Sequence, residues 1–167
     1  CNGNGDGDIR NHMNGGQYAE RFMFWQHLVS AGLINGIYTG QAGPANRQHH
    51  IIGENAPESS LSNAGWAVYN ELSQTNFSGD TDVFDGNYVG QLSLGAYNST
   101  SHLLNESIMA PEELWSIDKK IDDGMPARGR VVPTSRVDCA VAPDGTALTS
   151  ATADGAVLDA EYNLTNT

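Results

Sequence analysis

Apolar residues recur at helical spacing through residues 17–34, QYAERFMFWQHLVSAGLI. Tyr18, Phe22, Trp25, Leu28, Val29 and Gly32 fall three or four positions apart and share one face, which predicts an amphipathic helix. Met23 and Phe24 widen that face, so burial on more than one side is expected. The helix should end near Gly32, and INGIYTG then reads as turn and strand. APEELWSIDKKIDDG predicts a second helix. Pro111 suits its first turn, Glu112 and Glu113 its positive end, and Lys119 and Lys120 its negative end. Leu114, Ile117 and Ile121 give its expected buried stripe, and Gly124 followed by Pro126 its stop.

Between the helices the pattern shortens. Residues 35–65 are rich in Gly, Pro and Ser and read as loop. AGWAVYNEL (64–72) predicts a strand. Val83–Phe84, Tyr88–Val89 and Leu92–Leu94 predict further short strands, with DGNY (85–88) as a hairpin turn. GRVVPTSRVDCAVA reads as one or two strands, and the small-residue stretch from Pro143 onward, with two Asp-Gly turns, as a loose hairpin or a partly mobile tail. Helices do not alternate regularly with strands, which predicts an α+β fold with an antiparallel sheet, a second short helix and long loops. The length of 167 residues predicts a single domain spanning 1–167.

Composition narrows the function classes. Charged residues make up only 17% of the chain, and lysine occurs only at Lys119 and Lys120, so polarity comes from Asn, Ser, Thr and Gly. The net charge of −12 argues against nucleic acid, whose binders need a basic stripe, and against adsorption to anionic lipid. It suits divalent cations, or simple solubility. No apolar run approaches the ~20 residues of a membrane span. The first residues read as the middle of a loop, as in a mature product whose targeting segment is missing.

The opening CNGNGDGDIR is the most specific candidate site. Asn2, Asn4, Asp6 and Asp8 alternate with glycines, Gly7 stands where a calcium loop turns sharply, and Ile9 stands where such loops anchor in a core. These positions resemble the first part of an EF-hand or dockerin loop, since calcium prefers six to eight oxygens. Met13 occupies the twelfth position, where an acidic residue is usual, and Glu20 on the first helix is the substitute ligand. A solvated Asn/Gly loop is the alternative. Asp80, Asp82 and Asp85 form a second acidic cluster, in a composition that hairpin turns also use.

Other chemistry is sparse. Cys1 and Cys139 are disulfide candidates, with each other or with cysteines beyond the chain, or else two buried thiols; without a CxxC, a thiolate zinc site is disfavoured. His49 and His50 are adjacent and do not converge on one metal in a strand, and His27 reads as a hydrogen-bonded packing residue. HExxH, GxSxG and phosphate-loop motifs are missing from the sequence. Asn76, Asn98, Asn105 and Asn163 lie in Asn-x-Ser/Thr sequons and are possible glycosylation sites.

Four segments in order carry a resemblance: CNGNGDGDI, ERFMFWQHLVSAGLINGIYTG, GENAPESSLSNAGW and APEELWSIDKKIDDGMPARGRV. Together they cover about two-thirds of the chain and resemble the soluble domain of type IV pilin-like proteins and pseudopilins, which carry a prepilin-type cleavage and methylation signal. The resemblance implies a helix packed on an antiparallel sheet, with Trp25, Leu28 and Leu33 docking the first helix. It implies a non-enzymatic structural subunit of an extracellular pilus-like filament or a type II secretion pseudopilus, partnered by identical or related subunits. Localisation would be extracellular or periplasmic, and membrane contact would run only through a hydrophobic helix upstream of Cys1. It also implies a final strand beyond YNLTNT, whose cysteine would pair with Cys139, leaving Cys1 to pair upstream or not at all.

Two other classes compete. A secreted calcium-dependent module binding carbohydrate or a protein domain would use Trp66, Tyr69 and Tyr88 as a platform, and a small hydrolase would use a carboxylate pair that nothing in the sequence singles out.

Overall fold

The computed structural model describes residues 9, 20–74, 84, 86–133, 136–148 and 159–165. They form an α+β chain: α1 (Glu20–Ser30), β1 (Ala64–Gln74), β2 (Gly86–Tyr97), β3 (Leu104–Glu106), α2 (Pro111–Ile121), a short α3 (Arg136–Cys139), β4 (Ala140–Val141) and β5 (Glu161–Tyr162). The fold class expected from the sequence is met at this level. The described residues divide into two compact units, one drawn from Cys1–Glu71 and Tyr88–Ile108, the other from Leu72–Asn87 and Met109–Thr167.

In the first unit α1 buries Arg21, Phe22, Met23 and Trp25. Full burial of a Phe or Met side chain contributes roughly 1.5–3 kcal/mol. The Phe22 ring lies 4.9 Å from the ring of His50, and the Arg21 guanidinium lies 4.9 Å above the Tyr69 ring of β1. The helix stops where the sequence places its end. Gly32 adopts φ +69°, its N–H donates to Val29 O, and Leu33 N–H donates to Leu28 O, both at 2.9 Å. This pair of bonds is a Schellman stop, which needs a left-handed residue that glycine supplies without a Cβ penalty.

Leu33 does not dock the helix, contrary to expectation. It follows the left-handed glycine and is 70% exposed, and Ile37 beyond it is 90% exposed. Residues 34–40 are irregular backbone with bends rather than a strand.

The three-stranded sheet has the order β1-β2-β3, with β2 and β3 antiparallel and Tyr97 opposite Leu104. Ala56, Ala67 and Leu104 form its core cluster, with Ile52, Tyr69 and Tyr97 packed against it. The short strands expected at Tyr88–Val89 and Leu92–Leu94 are one continuous strand, and Gly86, Asn87 and Tyr88 lie inside it rather than in a turn; Phe84 lies outside any strand, and Val83 and Asp85 lie outside the described residues. Backbone pairing carries the chain through Gly90, which adopts φ +70° within β2.

The second unit has a core of Phe84, Ala127, Ala140, Leu148 and Ala160. α2 begins at Pro111, with the Ala110 N–H donating to the Glu113 carboxylate at 2.9 Å. This is the reciprocal half of a capping box. The buried side chains of α2 are Pro111 and Asp118, whereas Ile117 is exposed and Ile121 is 67% exposed. The expected stripe is therefore rotated by one position, and a carboxylate takes the inward place. β4 pairs antiparallel with β5, Ala140 opposite Tyr162, and Val141 bridges back to Ala147 around the Asp144-Gly145 turn. Of the hairpin expected in this part of the chain, the first Asp-Gly turn is seen, whereas the second, Asp154-Gly155, lies outside the described residues. The strand expected to include Val137 is instead the helical turn α3; Pro133, which has no N–H to give a ladder, stands just before it.

Candidate functional site

Two clusters of polar side chains stand out among the described residues, one in each unit. In the first unit, the loop from Gln41 to Asn55 meets the β2–β3 hairpin. Asn55 is buried and organises the loop: its Oδ1 accepts from Ile51 N–H at 2.7 Å, and its Nδ2 donates to Gln41 O and His49 O at 2.9 and 3.0 Å. A shallow cavity of about 210 Å³ beside it is lined by Thr39, Gln41, Pro44 and Glu54 among others.

His49 and His50 follow and point to different partners, as adjacent residues must. The Ala45 N–H donates to His49 Nδ1 at 3.0 Å, which puts the His49 proton on Nε2. That N–H donates to the Tyr97 hydroxyl at 3.1 Å, and the hydroxyl donates to His102 Nδ1 at 2.6 Å. The result is a directional chain from loop to hairpin. Burial, with the neighbouring His102 second, lowers the His49 pKa, while Glu54 partly opposes this.

His102 holds φ +62°, a left-handed conformation that non-glycine residues adopt at a cost. Its backbone carbonyl accepts the His50 N–H at 3.0 Å and lies 3.4 Å from His50 Nδ1. His50 is buried between Phe22 and Tyr69, and burial above all, then the Arg21 charge, lowers its pKa to about 4. His49 and His50 are thus pushed toward their neutral forms, and the cluster binds loop to sheet.

In the second unit the end of α2 gathers three carboxylates. One oxygen each from Asp118, Asp122 and Asp123 lies within 4.8 Å of the others. Asp118 is fully buried; its Oδ2 accepts from the Tyr162 hydroxyl at 2.9 Å, and its Oδ1 has no hydrogen-bond partner. Burial raises the Asp118 pKa, Asp123 and Asp122 add to the rise, and the Tyr162 hydroxyl and Gly124 amide oppose it, although the amide closes no hydrogen bond on Oδ1. Asp122 Oδ2 accepts from the Arg130 and Val131 amides, the latter at 3.2 Å. Asp123 Oδ1 accepts from Met125 N–H at 2.9 Å, and its Oδ2 pairs with Arg128 Nε at 3.4 Å. Such an all-oxygen set can serve a hard cation.

Most sites read from the sequence lie elsewhere or outside the described residues. Asn2, Asn4, Asp6 and Asp8 of the candidate calcium loop lie outside them, as do Cys1, Asn76, Asp80, Asp82 and Asp85. Glu20 opens α1, half-buried. Cys139 is a free, half-buried thiol whose pKa is raised by burial and by Asp138. His27 is exposed in the last turn of α1 rather than packed.

Of the sequons, Asn105 is exposed. Asn98 caps its own turn, accepting from Thr100 and Ser101 N–H at 2.8 and 2.9 Å, and Asn163 accepts from the Thr165 hydroxyl at 2.7 Å. Trp66 and Tyr69 stand three apart on β1 and point to opposite faces, and Tyr69 packs into the core, so these two do not share a platform. The reading from sequence missed the Tyr97–His102 pair and Asp118. The i, i+4 spacing of Asp118 and Asp122 was the available signal for the latter.

Fold and clusters define a loop-rich α+β protein with cross-tied polar interiors. Comparison with family models, with curated proteins and with solved structures finds no match to this chain.

Proposed function

We propose that the chain is a non-enzymatic structural subunit of an extracellular pilus-like filament or secretion pseudopilus, partnered by copies of itself or related subunits. The reading starts from the ordered sequence segments that resemble pilin-like proteins. The single observation that carries it further is the turn after α1, where a hydrogen-bonded stop holds Leu33 and Ile37 out in water. Exposing apolar side chains on a fixed turn costs free energy unless a partner covers them, and head-to-tail subunit contacts need such patches. The titratable groups of the first unit suit the same role, because His49, Tyr97 and His102 hold loop to sheet. In this reading Asn2, Asn4, Asp6, Asp8 and Glu20 hold calcium and tie the opening loop to α1. A melting temperature indifferent to both calcium and chelator removes that ion from the proposal.

The test is assembly. Leu33→Asp with Ile37→Asp should leave the folded monomer intact by circular dichroism and melt within a few degrees of the parent, because both side chains are already exposed. Incorporation into filaments on the producing cells, seen by immunogold imaging, should fall at least tenfold. Normal incorporation of the double variant, with the fold intact, overturns the reading.

A further inference from the structure

We infer that the carboxylates of Asp118, Asp122 and Asp123 at the end of α2 form a binding site for a hard divalent cation, of the calcium or magnesium class. The argument begins with Asp118. Its side chain is fully buried, one oxygen is committed to Tyr162, and the other has no partner. A buried carboxylate oxygen left unsatisfied is costly, and a carboxylate with two others close by is more so. Among the described residues no side-chain cation offsets all three. Lys119, the nearest lysine in sequence, places its ammonium 4.7 Å over the Trp115 ring, and Arg128 reaches Asp123 alone, from an exposed position.

The segment that follows α2 is shaped around these carboxylates. The chain from Asp122 returns so that the Arg130 and Val131 amides fix Asp122 Oδ2 and the Met125 amide fixes Asp123 Oδ1. Gly129 adopts φ +84°, and a Cβ there would lie 2.3 Å from Asp122 Oδ2 and 3.0 Å from its Cγ. A side chain at 129 would therefore occupy the space against the carboxylate. Each carboxylate thus has at least one oxygen held in place by the protein. Asp118 Oδ1 has no hydrogen-bond partner, and Asp123 Oδ2 pairs with the exposed Arg128. Three carboxylate oxygens completed by water suit calcium or magnesium, and the absence of sulfur or imidazole donors in the set disfavours zinc. With three protein oxygens, affinity should fall in the weak range of extracellular calcium modules, a Kd of roughly 0.1–1 mM. The site does not rest on the filament reading, and its residues are distinct from the candidate loop at Asn2–Asp8.

Thermal melts of the full chain in chelator, then in CaCl2 or MgCl2, test the inference against NaCl of equal ionic strength. At 10 mM, one of the two cations should raise the melting temperature by roughly 3–6 °C beyond the NaCl control. Asp122→Asn and Asp123→Asn keep an oxygen for the backbone amides and should still fold. Made in the Asp6→Asn/Asp8→Asn background, which removes any contribution of the opening loop, both should lose the shift and weaken calcium-displaceable terbium luminescence at least tenfold. Asp118→Asn removes a buried charge, so it should melt no lower than the parent in chelator and also lose the shift. Asp6→Asn with Asp8→Asn should keep the shift that depends on Asp122 and Asp123. The inference fails if neither cation shifts the parent, if the Asp122 and Asp123 variants keep the full shift, or if the Asp6/Asp8 variant alone abolishes it.

Discussion

His50 concentrates the energetics of the first unit in one side chain. Its ring is buried against Phe22 and Tyr69, its backbone N–H is tied to the strained His102, and its pKa falls to about 4. The group is neutral when folded and titrates near 6.5 when unfolded. Between these values the unfolded chain binds more protons, so stability is present above pH 6.5 and is lost as pH falls toward 4. The shift corresponds to roughly 3 kcal/mol over that window. His49, also lowered, adds a loss of the same sign. Ordinary carboxylates titrate below about 5, so the upper half of the window belongs to the histidines. Urea melts at pH 6.5 and 5 should show this loss, and His50→Gln should flatten it. An equal slope in the variant would show that other groups carry the acid sensitivity.

The two long helices show what sequence pattern can and cannot determine. Both were legible because their stops and starts are local: Gly32 closes α1, and Pro111 with Glu113 opens α2. The buried face of α2 was not. Leu114-Ile117-Ile121 and Pro111-Leu114-Asp118 are both runs at helical spacing, and hydrophobicity alone selects the first. Tyr162 on β5 and the Asp122 turn select the second, and both are contacts distant in sequence or beyond the helix. The choice predicts opposite mutational outcomes. Ile121→Gln on the exposed side should change stability by less than about 0.5 kcal/mol. Tyr162→Phe, which leaves buried Asp118 Oδ2 without its donor, should cost about 1–3 kcal/mol. Equal costs in urea denaturation, or a larger one for Ile121→Gln, would restore the isoleucine stripe as the buried face.

The α+β class followed from the irregular order of elements, and the loop character of 35–65, up to the start of β1 at Ala64, from its Gly, Pro and Ser content. What holds that loop did not follow, because the Asn55 amide spends its bonds on backbone groups that no side-chain pattern marks. Net charge, by contrast, is fully legible and acts on the whole chain. Twenty acidic against eight basic residues leave −12, so like charges dominate the mean field. That repulsion favours expansion and is relieved by screening. Raising NaCl from about 0.01 to 0.15 M shortens the screening length from about 30 to about 8 Å. The melting temperature should therefore rise by a few degrees, about 2–4 °C for each kcal/mol of relief, and level off as exposed pairs become screened. A bound cation behaves differently, following a saturation curve in its own concentration on top of that plateau. Melting curves across NaCl at neutral pH separate the two. A melting temperature that falls with NaCl would mean that attractive ion pairs outweigh the excess of carboxylates, and the mean-field account of this chain would have to be abandoned.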